Sequence, residues 1–238
     1  MTGPSKPPSG PPGRAPVLRS GADGDGPLFA QLLAHPGVDE VVALRSPFGF
    51  LAFHGGSLEQ ATDVVALAAA ERAGASVYAV VQPPDLRWHI PSHRVTPESS
   101  PALARFVGHV KVAVALHGYG RAGYWTTILL GGTNRRLAAH LQAWLASALP
   151  DQEVVDDLDA VPATLRGLHP ANPVNLPTGG GVQVELPPRV RGTTPHRMSI
   201  EPLVSALADA AIAWPSQATP KPRSPGGQST SKEPPARQ

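Results

Sequence analysis

The stretch K-V-A-V-A-L-H-G, residues 111–118, decides how the rest of the chain is read. After Lys111 it is continuously apolar as far as Leu116, the pattern of a strand covered on both faces of a sheet, and it stops at a histidine followed by a glycine. Phe50–Phe53 ends the same way, in His54-Gly55-Gly56. Upstream of it lies a β-favouring run, Val38–Leu44, separated from it by the turn signal Arg45-Ser46-Pro47. Ser57–Arg72 is alanine-rich, with Leu58, Ala61, Val65 and Ala68–Ala69 at helical spacing and Gly74 as its C-cap. Val77–Val81 reads as a buried strand, Pro101–Val107 as a short helix and Trp125–Leu130 as another strand. Asn134–Ala148 is an amphipathic helix with Leu137, Leu141, Trp144 and Leu145 on one side. Val182–Leu186 is a strand with a polar residue at every second position, and Pro202–Ile212 closes the series as a helix. Strands alternating with helices predict an α/β three-layer sandwich around a mostly parallel mixed sheet.

Composition sets the frame around these elements. The chain has 238 residues with 24 Gly, 29 Pro and no Cys. Without cysteine there is no disulfide scaffold, thiolate metal site or cysteine nucleophile. No apolar run approaches the ~20 residues of a bilayer-spanning helix, so no membrane is expected as a partner. Residues 1–26 and 215–238 carry six prolines each, with Gly, Ser, Lys and Arg and few large apolar side chains. They are expected to be disordered tails around one domain at 27–214. The tails hold seven basic and three acidic residues of the chain's 20 and 18, so the domain itself is slightly acidic and no basic stripe marks a nucleic-acid surface. The N-terminus has no apolar h-region, which predicts a cytoplasmic protein, with export by another route left open.

All nine histidines lie between the tails. In open α/β sheets, sites form outside the carboxyl ends of the strands, where His54 and His117 both emerge. Glu59 follows His54 across the start of a helix, close enough for its carboxylate to fold back. Two imidazoles and a carboxylate are the ligand types of hydrolytic zinc sites, with a fourth position left to water. The structural alternative for each histidine is a hydrogen-bonded residue at a strand end. Such a site needs a proton acceptor, and Glu185 is the candidate: in G-V-Q-V-E-L (181–186) alternation sets Gln183 and Glu185 on one face, Val182 and Val184 on the other. A merely solvated carboxylate is its alternative.

These residues stand in a larger pattern. F-H-G-G-S-L-E (53–59) with Thr62 resembles the H-G-G-x-x-E-x-x-T signature of the zinc-dependent poly-γ-glutamate hydrolases known from phage depolymerases. The likeness continues in order through W-H-I-P-S-H (88–93), A-L-H-G-Y (115–119), L-L-G-G-T-N-R (129–135), N-P-V-N (172–175) and G-G-G-V-Q-V-E-L-P (179–187), closing at Arg189-Val190-Arg191. It covers residues 40 to 192 and implies a compact zinc-carboxypeptidase-like fold. On matching positions it implies Zn²⁺ held by His54, Glu59 and His117, with Glu185 as the catalytic carboxylate. A γ-glutamyl chain carries one α-carboxylate per unit, which makes Arg135, Arg189 and Arg191 candidates for bidentate recognition. Asn172 and Asn175 are candidate donors to substrate, with local Asx-turn bonding as the alternative. His89 matches a family histidine and is a substrate-binding candidate; it and His93 are each able to orient a ligand or line the cleft, and a plain hydrogen-bonded loop histidine is the expected reading for both. The chain departs from the pattern at Gln60-Ala61, where a Pro-Gly-like pair is expected.

The reading that follows is a zinc-dependent amidohydrolase acting on γ-glutamyl bonds. Its alternatives are the same chemistry on a peptidoglycan γ-D-glutamyl bond or an N-acyl amino acid, and a non-catalytic binding module on the same fold. A serine hydrolase is excluded, because no G-x-S-x-G nucleophile elbow occurs in the chain.

Overall fold

The computed structural model describes residues 28–193 and 198–215, together with the backbone of Leu18–Arg19. The rest of the expected tails, and His196, lie outside the described residues. In chain order the strands are β1 (Leu18–Arg19), β2 (Asp39–Ala43), β3 (Ser46–Gly56), β4 (Ala75–Gln82), β5 (Trp88–His89), β6 (Val112–Gly118), β7 (Thr127–Leu130), β8 (Glu153–Val155) and β9 (Gly181–Leu186). The helices are α1 (Phe29–Leu33), α2 (Thr62–Ala73), α3 (Pro101–His109), α4 (Arg135–Ala148) and α5 (Glu201–Ala213).

Seven strands form one sheet in the order β2-β4-β3-β6-β9-β7-β8, and β1 pairs with β5 outside it. The central strands β4, β3, β6 and β9 are parallel. Antiparallel β2 borders β4, and antiparallel β7 borders β9 with β8 parallel to it. The expected mostly parallel mixed sheet is the one observed. Its two faces are dry for the reason the apolar strands indicate. Phe50, Ala52, Val114, Leu116, Val182 and Val184 pack under α2, α4 and α5. Leu51, Tyr78, Val80, Ala113 and Ala115 pack with Phe29, Leu32, Leu103 and Phe106 from α1 and α3 on the other face.

Several element boundaries differ from the sequence reading, three of them for a clear physical reason. Ser46 and Pro47 do not split two strands but begin β3; a register shift between Ser46 and Gly49 lets the ladder pass a proline that has no N–H to give. The apolar run at Trp125 starts pairing only at Thr127, because Trp125 is half exposed in the turn closed by the Thr127 N–H on the Tyr124 carbonyl. Finally, α2 begins at Thr62 rather than Ser57, leaving 57–61 as a turn that carries Glu59.

Candidate active site

The site is built where β3 stops. Strict alternation would send Phe53 and His54 to opposite faces. The register between β3 and β4 breaks between Ala52 and Gly55, however, and an irregularity of this kind re-aims side chains. Phe53 therefore meets His54 and His117 edge-on at 4.9 Å each, and the two imidazoles lie 5.1 Å apart between ring centres. Gly56 then turns the chain at φ +71°, at a place where a Cβ would stand 2.2 Å from the Gln82 carbonyl oxygen. The Ser57 N–H donates to that same carbonyl at 3.1 Å, and the Ser57 hydroxyl donates to the Leu86 carbonyl. The Glu59 N–H returns to the His54 carbonyl at 2.9 Å, and the Thr62 hydroxyl donates to the Glu59 carbonyl at 2.8 Å. This closed turn folds the Glu59 side chain back over His54.

The departure at Gln60-Ala61 has its consequence here. Ala61 precedes α2 at φ +70°, the one non-glycine residue at positive φ among those described. An alanine there is strained by about 1 kcal/mol relative to glycine. Ala61→Gly is therefore expected to raise the melting temperature by a few degrees with the fold unchanged, as thermal denaturation would read.

Both oxygens of the buried Glu59 carboxylate face imidazole nitrogens. Oε1 is 3.0 Å from His54 Nδ1 and Oε2 is 3.4 Å from His117 Nδ1, while the Gly118 N–H donates to Oε2 at 2.9 Å. Burial alone would raise this carboxyl; the charges of His54 and His117 overcome it and hold Glu59 far below the usual carboxylate range. Burial would lower His117, but Glu59 and then Glu185 reverse that and raise it. His54 Nε2 lies 2.8 Å from the Ile90 carbonyl; with the N–H on that nitrogen, Nδ1 meets Glu59 Oε1 as one acceptor against another. Two acceptors in that opposition need a proton or a cation between them. His117 Nε2 is buried and has no hydrogen-bond partner. The donor set thus fits a divalent cation. His54, Glu59 and His89 offer ligand atoms within 4.8 Å of one another, and His89 stacks 4.8 Å from His54, so a His–Glu–His group that can hold a metal is present in the fold.

Register places the carboxylate opposite. His117 and Glu185 are paired neighbours on β6 and β9, two residues beyond Ala115 and Gln183. Glu185 is not solvated: it is only 4% exposed, and burial, reinforced by the charge of Glu59 and offset by His117, pushes its carboxyl up. Gln183 Nε2 donates to Glu185 Oε1 at 2.8 Å, and Asn172 Nδ2 donates to Gln183 Oε1 at 2.8 Å. That buried relay holds the carboxylate in one orientation.

His54, Glu59, His117 and Glu185 line one cleft of about 660 Å³, together with His89 and Asn172. The other candidates are placed elsewhere. Arg135 lies at the amino ends of β3 and β6, where its guanidinium donates to the backbone carbonyls of Leu130, Gly131, Gly132 and Asp156. Every one of those bonds supports the start of α4, and none faces the cleft. Arg189 is exposed outside the cleft. Arg191 comes close but acts as a clamp: Nε donates to the Leu186 carbonyl at 3.1 Å and Nη1 to the Gln60 carbonyl at 2.6 Å, tying the end of β9 to the Glu59 turn. Burial lowers its pKa, against the charges of Glu59 and Glu185. Asn175 is a loop clip, donating to the carbonyls of Gly167 and His169 and accepting from Thr133. Asn172 turns inward to Gln183 as well as capping its own loop through the Val174 N–H.

The cleft also holds residues to which the sequence pointed weakly or not at all. Tyr119 lines it, with its hydroxyl directed to the Tyr124 and Thr127 carbonyls. His93 and His169 stack 4.7 Å apart across two segments remote in the chain, and no local pattern marks them as partners.

Imidazoles and a carboxylate able to hold a cation, beside a buried second carboxylate at the carboxyl ends of parallel strands, are the layout of a metal-type α/β hydrolase. The chain belongs to the poly-γ-glutamate hydrolase family, whose profile matches residues 31–202, and is a hydrolase. Its fold is similar to that of a bacteriophage poly-γ-glutamate hydrolase, with a TM-score of 0.60 and 21% identity over 73% of this chain and 87% of that one. It is equally similar to that of YndL in its zinc-free apo form, with a TM-score of 0.62 and 22% identity over 76% and 94%. None of the curated proteins compared matches the chain.

Proposed function

We propose that the protein hydrolyses γ-glutamyl amide bonds with one zinc ion held by His54, Glu59 and His117, and with Glu185 as the general base. The observation that carries this reading is the convergence of two imidazole nitrogens on the two oxygens of one buried carboxylate, with Glu185 beside His117 in strand register. His117 is preferred to His89 as the third ligand because it is buried and faces Glu59, whereas His89 is half-buried and stacks on His54. Zinc bound there supplies Lewis acidity, which makes water nucleophilic near neutral pH and polarises the scissile carbonyl. Glu185 takes a proton from the attacking water and returns it to the departing nitrogen. The Ile90 carbonyl fixes the His54 tautomer, and Gln183 keeps the Glu185 carboxylate aimed.

The test is metal content and activity together. Purified protein should carry one zinc per chain and release γ-glutamyl fragments from poly-γ-glutamate. His117→Ala should lose both, while His89→Ala should keep its zinc; the reverse would exchange the two histidines. A panel with a peptidoglycan γ-D-glutamyl peptide and an N-acyl amino acid tells the polymer from the other acidic amides.

The relay makes a separate expectation. Gln183→Leu removes an N–H that favours the ionised form of Glu185. Its kcat should fall about tenfold, and the acid limb of its pH–rate profile should move to higher pH. Zinc content should not change.

A further inference from the structure

Among the described residues that line the cleft there is no lysine or arginine, yet a γ-glutamyl polymer brings one carboxylate per unit. What the outer cleft offers instead is a pair of imidazoles. We propose that His93 and His169 form the subsite that takes the α-carboxylate of a γ-glutamyl unit beside the scissile bond, and so select an anionic substrate. The inference rests on the γ-glutamyl reading of the site.

The two rings lie 4.7 Å apart at 34° and are exposed, and neither belongs to the group that can hold a metal. They join the two walls of the cleft. His93 lies in the single turn Ser92–Arg94, and the nearby Ile90 carbonyl is the partner of His54 Nε2, so the turn is tied to the metal-binding side. The His169 carbonyl accepts the Asn172 N–H at 3.0 Å and Asn175 Nδ2 at 3.1 Å. Asn172 in turn holds Gln183, so this ring is tied to the Glu185 side. The Ala171 N–H donates to His169 Nδ1 at 3.1 Å, which makes that nitrogen an acceptor and leaves Nε2–H as the donor of the neutral ring. A carboxylate accepts from Nε2–H, and the facing His93 ring supplies a second N–H. Imidazoles so placed bind an anion where no described lysine or arginine lines the cleft.

The test compares two substrates in zinc-loaded protein: a short γ-glutamyl oligomer, and the same oligomer with its α-carboxylates converted to amides. In the His93→Asn/His169→Asn double variant, KM for the acidic oligomer should rise about tenfold with kcat and zinc content unchanged. The same variant should cleave the amidated oligomer as wild type does. His93→Gln and His169→Gln, each checked by thermal melting, guard against a folding defect. An unchanged KM for the acidic oligomer, or an equal rise for the amidated one, overturns the proposal while the hydrolase reading stands. If the zinc-loaded wild type neither cleaves the acidic oligomer nor binds it by calorimetry, the γ-glutamyl reading falls and the subsite falls with it.

Discussion

Glu185→Gln is expected to lower kcat by about a thousandfold, in the middle of the range a positioned general base contributes. The loss corresponds to about 4 kcal/mol of barrier. The substitution is nearly isosteric, and the amide oxygen it introduces still accepts from Gln183 Nε2, so zinc content and melting temperature should be unaffected. What it removes is the ability to take a proton. In the unsubstituted protein the same group should set the acid limb of kcat/KM. Burial favours the protonated form, so activity falls with decreasing pH at values above those of an ordinary glutamate. The measurement is steady-state kinetics on poly-γ-glutamate from pH 4 to 9 (an assay range of about five units, wide enough to bracket a raised carboxyl) with metal analysis of each preparation. A zinc-loaded variant as active as wild type would remove Glu185 from the mechanism.

The second large effect is on folding and reaches the site through the backbone. Gly56→Ala forces a Cβ to within 2.2 Å of the Gln82 carbonyl oxygen and 2.6 Å of its nitrogen, at a φ of +71° that L side chains rarely adopt. These are backbone atoms of the paired strand and cannot swing aside. The chain must open the end of β3 or break the turn that returns Glu59 to His54. A cost of about 3 kcal/mol or more is expected, lowering the melting temperature by roughly 6–12 °C. The variant should also bind zinc more weakly than wild type, because the His54–Glu59 pairing depends on that turn. A melting curve and zinc affinity identical to wild type would show that the turn is free to relocate.

The two effects differ in how they could be anticipated. Glu185 was legible because a polar residue at alternate positions of an otherwise apolar strand must share a face, and Val182 and Val184 do go to the opposite core. That its face is buried was not legible: it takes β7, the Gln183–Asn172 bonds and the loop over them to exclude water. Gly56 was visible only as part of the His54-Gly55-Gly56 step that ends the strand, and its need for φ > 0 comes from the approach of Gln82, which is a matter of strand pairing.

The arginines mark the limit most clearly. Arg135 and Arg191 were singled out for the carboxylate chemistry of guanidinium, and that chemistry is satisfied instead by backbone carbonyls at strand ends. A donor with five N–H groups is the natural partner for orphan carbonyls wherever the sheet leaves them, and nothing local in the chain tells one use from the other. Conversely, His93 and His169 came together without any shared motif.

The order of the main strands and helices, the burial of both sheet faces, and the emergence of His54 and His117 at one edge follow from the amino-acid order alone, whereas the short elements α1, β5 and β8 do not. Apolar runs, helical spacing and terminal His-Gly steps are local properties, and short connections leave parallel strands few arrangements. Which nitrogen faces which oxygen, which charged groups are shielded from water, and which arginine props up a helix were decided only when the strands took their register. Those outcomes depend on distances of a few tenths of an ångström between segments far apart in the chain, and no local pattern carries them.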